Sequence, residues 1–321
     1  MKIVVYEYFT SGALLNRDFS SELAHEGDEM LQAVINDMLS NTSFQPTVIR
    51  DARLPPLNNI NNIRVDSVSA YQQAWQQCLE EETRFLLIAP ETEGVLASLA
   101  TQVLNAGRQL LGTSPKTTAL CTNKLECSQK LASTDISTIP TQTAENWLAQ
   151  PAFLGALICK PIDGAGCVDT YLFESEIAAA HYLHQCSHHQ RQTIIVQPFI
   201  SGTPMSLSVF FADKPHILSC NQQIITGNNQ LTYEGSIVNL PFPNALTKVQ
   251  ATTMLTKLRS LLPELWGFVG VDLIVNEDEY WIVDINPRLT TSFNQLSQLE
   301  TSPAQRLFNA LAENEFKVSN D

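Results

Sequence analysis

Positive charge is scarce in this 321-residue sequence: 19 Lys and Arg face 33 Asp and Glu, for a formal net charge of −14. That balance disfavours nucleic acid and anionic membrane surfaces as partners, because both reward clustered cations. It also makes each lysine or arginine inside a patterned motif more informative. Paired cysteines are lacking as well. The seven cysteines (Cys78, Cys121, Cys127, Cys159, Cys167, Cys186, Cys220) contain no Cys-x-x-Cys. An odd count without regular spacing suits reduced thiols and a cytoplasmic location. No apolar run is long enough to span a bilayer, and no apolar signal region precedes the strand-like Lys2-Ile-Val-Val-Tyr6. No Gly-x-Gly-x-x-Gly follows that strand, which argues against a dinucleotide-binding half. His184, His188 and His189 lie close together but lack an acidic companion, so they read as a solvated helix end rather than a metal site. Repeats and low-complexity segments are missing too.

Strand and helix signals alternate through residues 1–115. Strands are expected at Ile3 to Tyr6, Gln45 to Arg50, Phe85 to Ala89 and Gln109 to Gly112. Helices are expected at Glu29 to Leu39, Ala70 to Leu79 and Gly94 to Ala106. This alternation implies a small parallel sheet covered by helices. Arg50 to Asp66 is rich in Asn and Pro without periodicity and reads as a long loop. Ser114-Pro115 is a helix start, and that helix is expected to run through Lys116 to Leu131 with Lys124 on it. Leu157 to Lys160 and Val168 to Phe173 read as a hairpin, followed by a helix from Ser175 to Gln185 and a strand from Thr193 to Gln197. β-Runs at 205–211, 216–225 and 231–238, a helix over 246–262, a further hairpin and a last helix over 303–312 complete the chain.

The last hairpin carries polar residues that a core strand does not usually carry. Trp266-Gly-Phe-Val-Gly-Val-Asp272-Leu-Ile-Val and Tyr280-Trp-Ile-Val-Asp284-Ile-Asn286-Pro-Arg288 flank a turn-forming Asn276-Glu277-Asp278-Glu279. Asp284 and Asn286 are two apart and share one face of a strand, and a hairpin brings Asp272 beside them. Two carboxylates and an amide oxygen, without His or Cys, form a hard oxygen site for Mg2+ or Mn2+. The plainer alternative is a hairpin with exposed acids. Bracketing by Val271, Leu273, Val283 and Ile285 argues against it, because carboxylates buried in such runs need a partner. Arg288 adds a fixed guanidinium fork.

Upstream, Ile158-Cys-Lys160-Pro-Ile-Asp-Gly164-Ala165-Gly166-Cys167 joins one lysine in an apolar strand to a glycine-rich tip. Gly164 and Gly166 permit positive φ and close backbone approach to phosphates. A lone Gly-Ala-Gly fits an ordinary hairpin turn equally well, and Lys160 tips the balance toward an anion site. Lys124, in Thr122-Asn-Lys124, would by itself read as a solvated helix face.

Taken in order, these motifs resemble the ATP-grasp superfamily over nearly the whole chain. The resemblance implies an α/β fold, α+β in its C-terminal half. Its parts would be a parallel-sheet pre-ATP-grasp domain at 1–115, a small lid at 116–197 and a C-terminal nucleotide- and metal-binding sheet at 198–321. It implies ATP and two Mg2+ or Mn2+ ions, with Asp272, Asp284 and Asn286 as metal ligands. Lys124 and Lys160 become nucleotide lysines and Gly164, Ala165 and Gly166 a phosphate flap. Gln197, Pro198, Phe199 and Ile200 become the adenine hinge, and Arg288 with Lys160 the catalytic cations. Pro198 stands where many members have a glutamate, and Met205-Ser206 where many have a ribose-binding acid, so those contacts stay open.

A narrower resemblance is to the branch containing tyramine–glutamate ligase of methanofuran biosynthesis. Its carriers are Tyr6-Glu7-Tyr-Phe-Thr-Ser-Gly12, Glu26-Gly27-Asp-Glu-Met30-Leu31, Ile88-Ala-Pro-Glu91-Thr-Glu-Gly94 and Asn286-Pro-Arg-Leu-Thr290-Thr291-Ser292. It implies amide formation between glutamate and an aromatic amine through an acyl phosphate. Glu7, Glu26 and Glu91 would compete for the substrate ammonium group, and Ser206, Thr290 and Thr291 for its other polar atoms. A dipeptide ligase, a carboxylate kinase and a regulatory module without turnover are the alternatives. Oligomeric state is open, a homodimer included.

Overall fold

The computed structural model describes residues 1–17, 20–296 and 302–318. The first five strands are β1 (Lys2–Glu7), β2 (Gln45–Asp51), β3 (Asn61–Val65), β4 (Arg84–Ile88) and β5 (Gln109–Leu110). They form an all-parallel sheet in the order β3-β2-β1-β4-β5. Both faces of β1 are covered, so Ile3, Val4, Val5 and Tyr6 are all buried and the strand reads as a continuous apolar run. The covering helices are α1 (Ser21–Asn41), α2 (Val68–Glu81) and α3 (Val95–Asn105). Ser20 and Ser67 cap the first two through their side chains. The strand order reverses between β1 and β4, which opens a crevice at their carboxyl ends, where Glu7 and Glu91 sit.

Two local expectations change. The supposed loop from Arg50 to Asp66 contains β3, an edge strand paired in parallel with β2. Its formation depends on β2 rather than on its own Asn-rich sequence. The side chain of Asn62 braces the preceding turn, accepting from the N–H of Leu57 and donating to its carbonyl, each at 2.8 Å. The single helix expected over 116–131 is broken into α4 (Pro115–Thr122) and α5 (Lys124–Ala132). Asn123 is extended at φ −80 and ψ 95, and its side chain caps the second helix. Lys124 therefore opens α5.

A four-stranded antiparallel sheet follows: β6 (Gln142–Thr143), β7 (Leu157–Pro161), β8 (Tyr171–Phe173) and β9 (Ile194–Pro198), in the order β6-β9-β7-β8. It is backed by α6 (Ala144–Ala149), α7 (Glu176–Gln185) and α8 (His188–Thr193) over a small core that includes Trp147, Leu157, Leu183 and Val196. The segment just after residue 116 packs away from this small sheet. Cys121, Cys127, Leu131 and Ile136 belong to the core of the next sheet.

That sheet contains β10 (Thr203–Phe211), β11 (Pro215–Thr226), β12 (Thr232–Ile237), β13 (Gly267–Val275) and β14 (Tyr280–Asn286). It is antiparallel, in the order β12-β11-β10-β13-β14. One face packs on α9 (Lys248–Leu261) through Leu207, Val271, Leu273, Ile285, Met254, Leu255 and Leu258. The other face is polar where Ser206, Ser208, Asn221, Asp272 and Asn286 alternate with these residues, and apolar at Phe210 and Phe268, which join the core under the first sheet. The C-terminal segment, with α10 (Phe293–Leu296) and α11 (Pro303–Val318), returns to the first sheet. Leu307 and Leu311 join Leu31 and Ile35 of α1 in one cluster, and the Asp37 carboxylate accepts from the Ser302 hydroxyl at 2.5 Å and the Ala304 N–H at 2.8 Å. No helix among the described residues is long and apolar enough to cross a membrane.

Candidate active site

Strand register assembles the polar face of the third sheet. Asn221, Ser206, Asp272 and Asp284 form one row across β11, β10, β13 and β14. Ser219, Ser208, Gly270 and Asn286 form the next. Gly270 is a close approach: a Cβ there would stand 2.7 Å from the Thr290 methyl.

Every carboxylate oxygen in the row has a protein donor. Asp272 accepts from the amides of Gln223 at 3.1 Å and Asn286 at 3.0 Å. Asp284 accepts from the Lys124 ammonium at 2.5 Å and from the Ile285 N–H at 3.0 Å. Burial, then the neighbouring Asp284 charge, push the Asp272 carboxyl up to about 6. Burial works against the Lys124 ammonium, but Asp284 outweighs it and the pKa rises. Lys160 is buried, and desolvation followed by the Lys124 charge brings it down to about 8. Among the described residues its ammonium makes no hydrogen bond or ion pair. Two clustered carboxylates with an adjacent amide, one acid raised by burial and then by its neighbour's charge, fit a divalent cation bound by hard oxygen ligands.

The glycine-rich tip divides differently from expectation. Gly166 is left-handed at φ 61, whereas Gly164 is not at positive φ. A Cβ on Gly164 would meet the Pro161 ring at 3.2 Å. Positive φ falls instead on Cys167 (61°) and Asp169 (49°), two residues that adopt it at a cost. The Lys124 N–H donates to the Ile162 carbonyl at 2.9 Å, joining α5 to the base of this tip.

Near the end of β9, the buried Gln197 donates its side-chain amide at 2.8 Å to Thr141, the residue just ahead of β6. Pro198 ends β9, the Phe199 N–H donates to the Ala156 carbonyl at 2.8 Å, and the Phe199 ring is largely exposed. Ile200 follows, partly exposed.

Arg288 reaches back to the crevice of the first sheet. Its Nε lies 2.8 Å from Glu91 Oε2, a buried ion pair too poorly aligned to count as a hydrogen bond, while Arg288 Nη1 donates to the Leu289 carbonyl at 3.0 Å. Burial disfavours the Arg288 cation, but Glu91 holds its pKa up, with Asp272 and the exposed Glu26 adding to the effect. Ser206 and Ser208 accept from the buried Asn221 amide, Ser208 meets Ser292 at 2.9 Å, and Ser292 meets Thr290 at 2.9 Å. Thr291 stands 3.5 Å from the Tyr233 hydroxyl. These hydroxyls anchor the loop after Arg288 to the sheet.

Glu7 turns toward the protein itself. Only 1% exposed, its carboxylate accepts from the N–H groups of Phe9 at 3.2 Å and Thr10 at 2.7 Å. Burial raises it to about 7, against the pull of those bonds. Gly27 packs on it so closely that a Cβ would stand 2.6 Å away. The histidine group does have an acidic companion, since His188 pairs with Glu145 at 3.0 Å. The pair is exposed, and among the described residues no group of three His, Cys, Asp or Glu side chains converges on a metal position. Gln223 escaped the sequence reading. The alternation of Ser219, Asn221 and Gln223 within an apolar β-run was the signal that could have found it.

The model of an ATP-grasp domain matches residues 121–292, and that of a pre ATP-grasp 3 domain matches residues 44–118. Tyramine–L-glutamate ligase of Methanocaldococcus jannaschii is 34% identical over 113 residues, which is 35% of this chain and 34% of that protein. Its counterpart from Methanocaldococcus fervens is 33% identical over 113 residues, 35% of each. The matched stretch thus spans about a third of the length of these curated relatives. Among solved structures, a putative ATP-grasp superfamily protein from Archaeoglobus fulgidus superposes with a TM-score of 0.71 at 22% identity, covering 96% of this chain and 88% of that one. D-alanine–D-alanine ligase from Bacillus anthracis complexed with ATP gives 0.64 at 13% identity, covering 99% of both chains. At those identities the likeness is one of fold. The matched ATP-grasp model takes in α5, the glycine-rich tip, β9 and both strands β13 and β14, and by that match the chain belongs to the ATP-grasp domain family.

Proposed function

We propose that this chain is an ATP-dependent carboxylate–amine ligase that joins glutamate to a tyramine- or tyrosine-like amine and releases ADP and phosphate. The carrying observation is the convergence of Asp272, Asp284 and Asn286 with Lys124 and Lys160 on one polar sheet face, beside Arg288. Asp272, Asp284 and Asn286 would hold Mg2+ or Mn2+, which when bound there neutralises charge on the phosphate oxygens. Lys124 and Lys160 grip phosphates from α5 and β7. Backbone N–H groups around Gly164, Ala165 and Gly166 cover them and keep water out. Gln197 to Ile200 border the adenine, the peptide groups reading its edge and Phe199 packing against it.

The substrate carboxylate attacks the γ-phosphorus in line, ADP leaves, and an acyl phosphate forms. Arg288 stabilises the charge spread over the transferring group. The amine then attacks the acyl carbon, phosphate departs and the amide remains. Glu91, held next to Arg288 in the crevice between β1 and β4, is the best placed of the three glutamates to receive the substrate ammonium group. Glu7 is committed to the Phe9 and Thr10 amides. Support for glutamate and an aromatic amine comes from the tyramine–L-glutamate ligases, matched over 113 residues.

The test supplies purified protein with ATP, Mg2+, glutamate and tyramine. ADP release should require both substrates, and mass analysis should find a γ-glutamyl amide. Asp284→Asn should abolish most turnover; because it also leaves the buried Lys124 ammonium without its anion, melting falls too, and activity is read at a temperature where the variant is folded. An enzyme that ignores glutamate but uses another acid refutes the substrate assignment. An Asp284→Asn protein that turns over normally at limiting Mg2+ refutes the metal assignment.

A further inference from the structure

The metal-binding carboxylates and the first nucleotide lysine share one contact. Lys124 is buried, and its ammonium stands 2.5 Å from Asp284 Oδ2. The other Asp284 oxygen accepts from the Ile285 N–H, and both Asp272 oxygens accept from the amides of Gln223 and Asn286. A divalent cation at Asp284 therefore has to share that carboxylate with a buried ammonium, and the two positive charges oppose each other until Lys124 gives way. Lys124 cannot simply swing into water, because its backbone N–H is bonded to Ile162 and its side chain is enclosed. The nearest alternative ground is already positive, since Lys160 lies close enough for the two ammonium charges to repel. A buried ammonium without an anion is strongly disfavoured.

We propose that Lys124 couples nucleotide binding to metal binding, holding Asp284 until a nucleotide phosphate takes over its ammonium. Resting on the ATP and metal reading above, the inference assigns Lys124 a task beyond gripping phosphate. A cation arriving alone competes with the lysine for Asp284. A cation arriving with a nucleotide does not, because the phosphate supplies the anion that the lysine needs. By linkage the effect is reciprocal, so the cation tightens nucleotide binding by the same factor. The Ile162 contact puts this exchange at the base of the glycine-rich tip, where phosphate contact and tip closure meet.

The experiment measures Mn2+ binding without nucleotide, by electron paramagnetic resonance of free Mn2+, in wild type and in Lys124→Met, Lys124→Gln, Lys124→Arg and Asp284→Asn. Folding of each variant is checked by its melting curve. Removing the ammonium should tighten nucleotide-free Mn2+ binding about tenfold, in the range of ordinary coupling between sites. Lys124→Arg keeps a cation beside Asp284 and should restore the weak affinity. ADP binding in chelator should weaken in Lys124→Met, the opposite sign to the metal effect. A folded Met or Gln variant with wild-type Mn2+ affinity overturns the coupling while leaving the metal site intact, provided Asp284→Asn loses Mn2+. If Asp284→Asn binds Mn2+ like wild type, the metal reading fails and the coupling falls with it.

Discussion

Replacing Glu7 with Gln tests the crevice at the end of β1 through its pH dependence. The carboxyl is raised from its ordinary 4.5 to about 7, chiefly by burial. Below pH 4.5 the acid is protonated in both folded and unfolded chains, and its contribution to stability is complete. As pH rises, the unfolded chain sheds its proton first, so the folded state loses ground until it ionises too, near pH 7. At about 1.4 kcal/mol per pKa unit, the loss across that window is about 3 kcal/mol. Gln cannot ionise. It can satisfy one of the Phe9 and Thr10 N–H groups but not both, a cost that is the same at every pH. The readout is therefore the difference in melting temperature between variant and wild type, followed from pH 4 to pH 8. Asp272 also titrates in this range, but it is present in both proteins and cancels. The variant should gain on wild type throughout the climb, by roughly 2 °C per kcal/mol for a chain of this size. Melting curves that stay parallel from pH 4 to pH 8 would mean that the carboxyl titrates as if in water, and the burial argument for Glu7 would be lost.

Gly166→Val should raise the KM for ATP several-fold more than Gly164→Ala does, because only Gly166 needs a left-handed backbone at φ 61; steady-state kinetics on the two folded variants check it, and equal effects would reject the flap geometry. Glu91→Gln strips the buried Arg288 of its nearest carboxylate and should cost about 3 kcal/mol of stability, read by urea unfolding. Glu91→Gln combined with Arg288→Met should recover most of that loss, and a double variant no better than the single one would show that the two charges do not depend on each other.

The acids of the last hairpin are legible in sequence because strand period two is local: Asp284 and Asn286 share a face. Their alignment with Asp272 is not, because the turn over Asn276 to Glu279 pairs Val275 with Tyr280 and only a bulge that leaves Val283 over sets Asp272 opposite Asp284. The parallel first sheet is legible for a similar reason, since a strand covered on both faces has to be apolar throughout. Other features depend on distant partners. β3 exists because β2 offers it an edge. The break at Asn123 interrupts a run that favours helix on propensity alone. The ion pair of Lys124 with Asp284 spans 160 residues, and no local pattern encodes it. Glu7 reads as an acid at a strand end, the usual place for a ligand contact, and only the structure reveals that two backbone amides already occupy it. Positive φ was expected at Gly164 and Gly166; the chain places it at Gly166 but not Gly164, and adds it at Cys167 and Asp169, where neighbouring turns over 165–170 override residue preference.

The two-faced third sheet has a consequence for fidelity. Sliding β13 by one residue against its neighbours would carry Asp272 into the layer now filled by Val271 and Leu273, and drive those side chains out onto the polar face. A carboxylate in that layer would face α9 with no cation or donor to meet it. The same acids that would hold a metal ion thus act as a ruler for the strands. A chain assembled one step out of phase loses its chemistry and its core together, so such a misfolded form has little stability with which to persist.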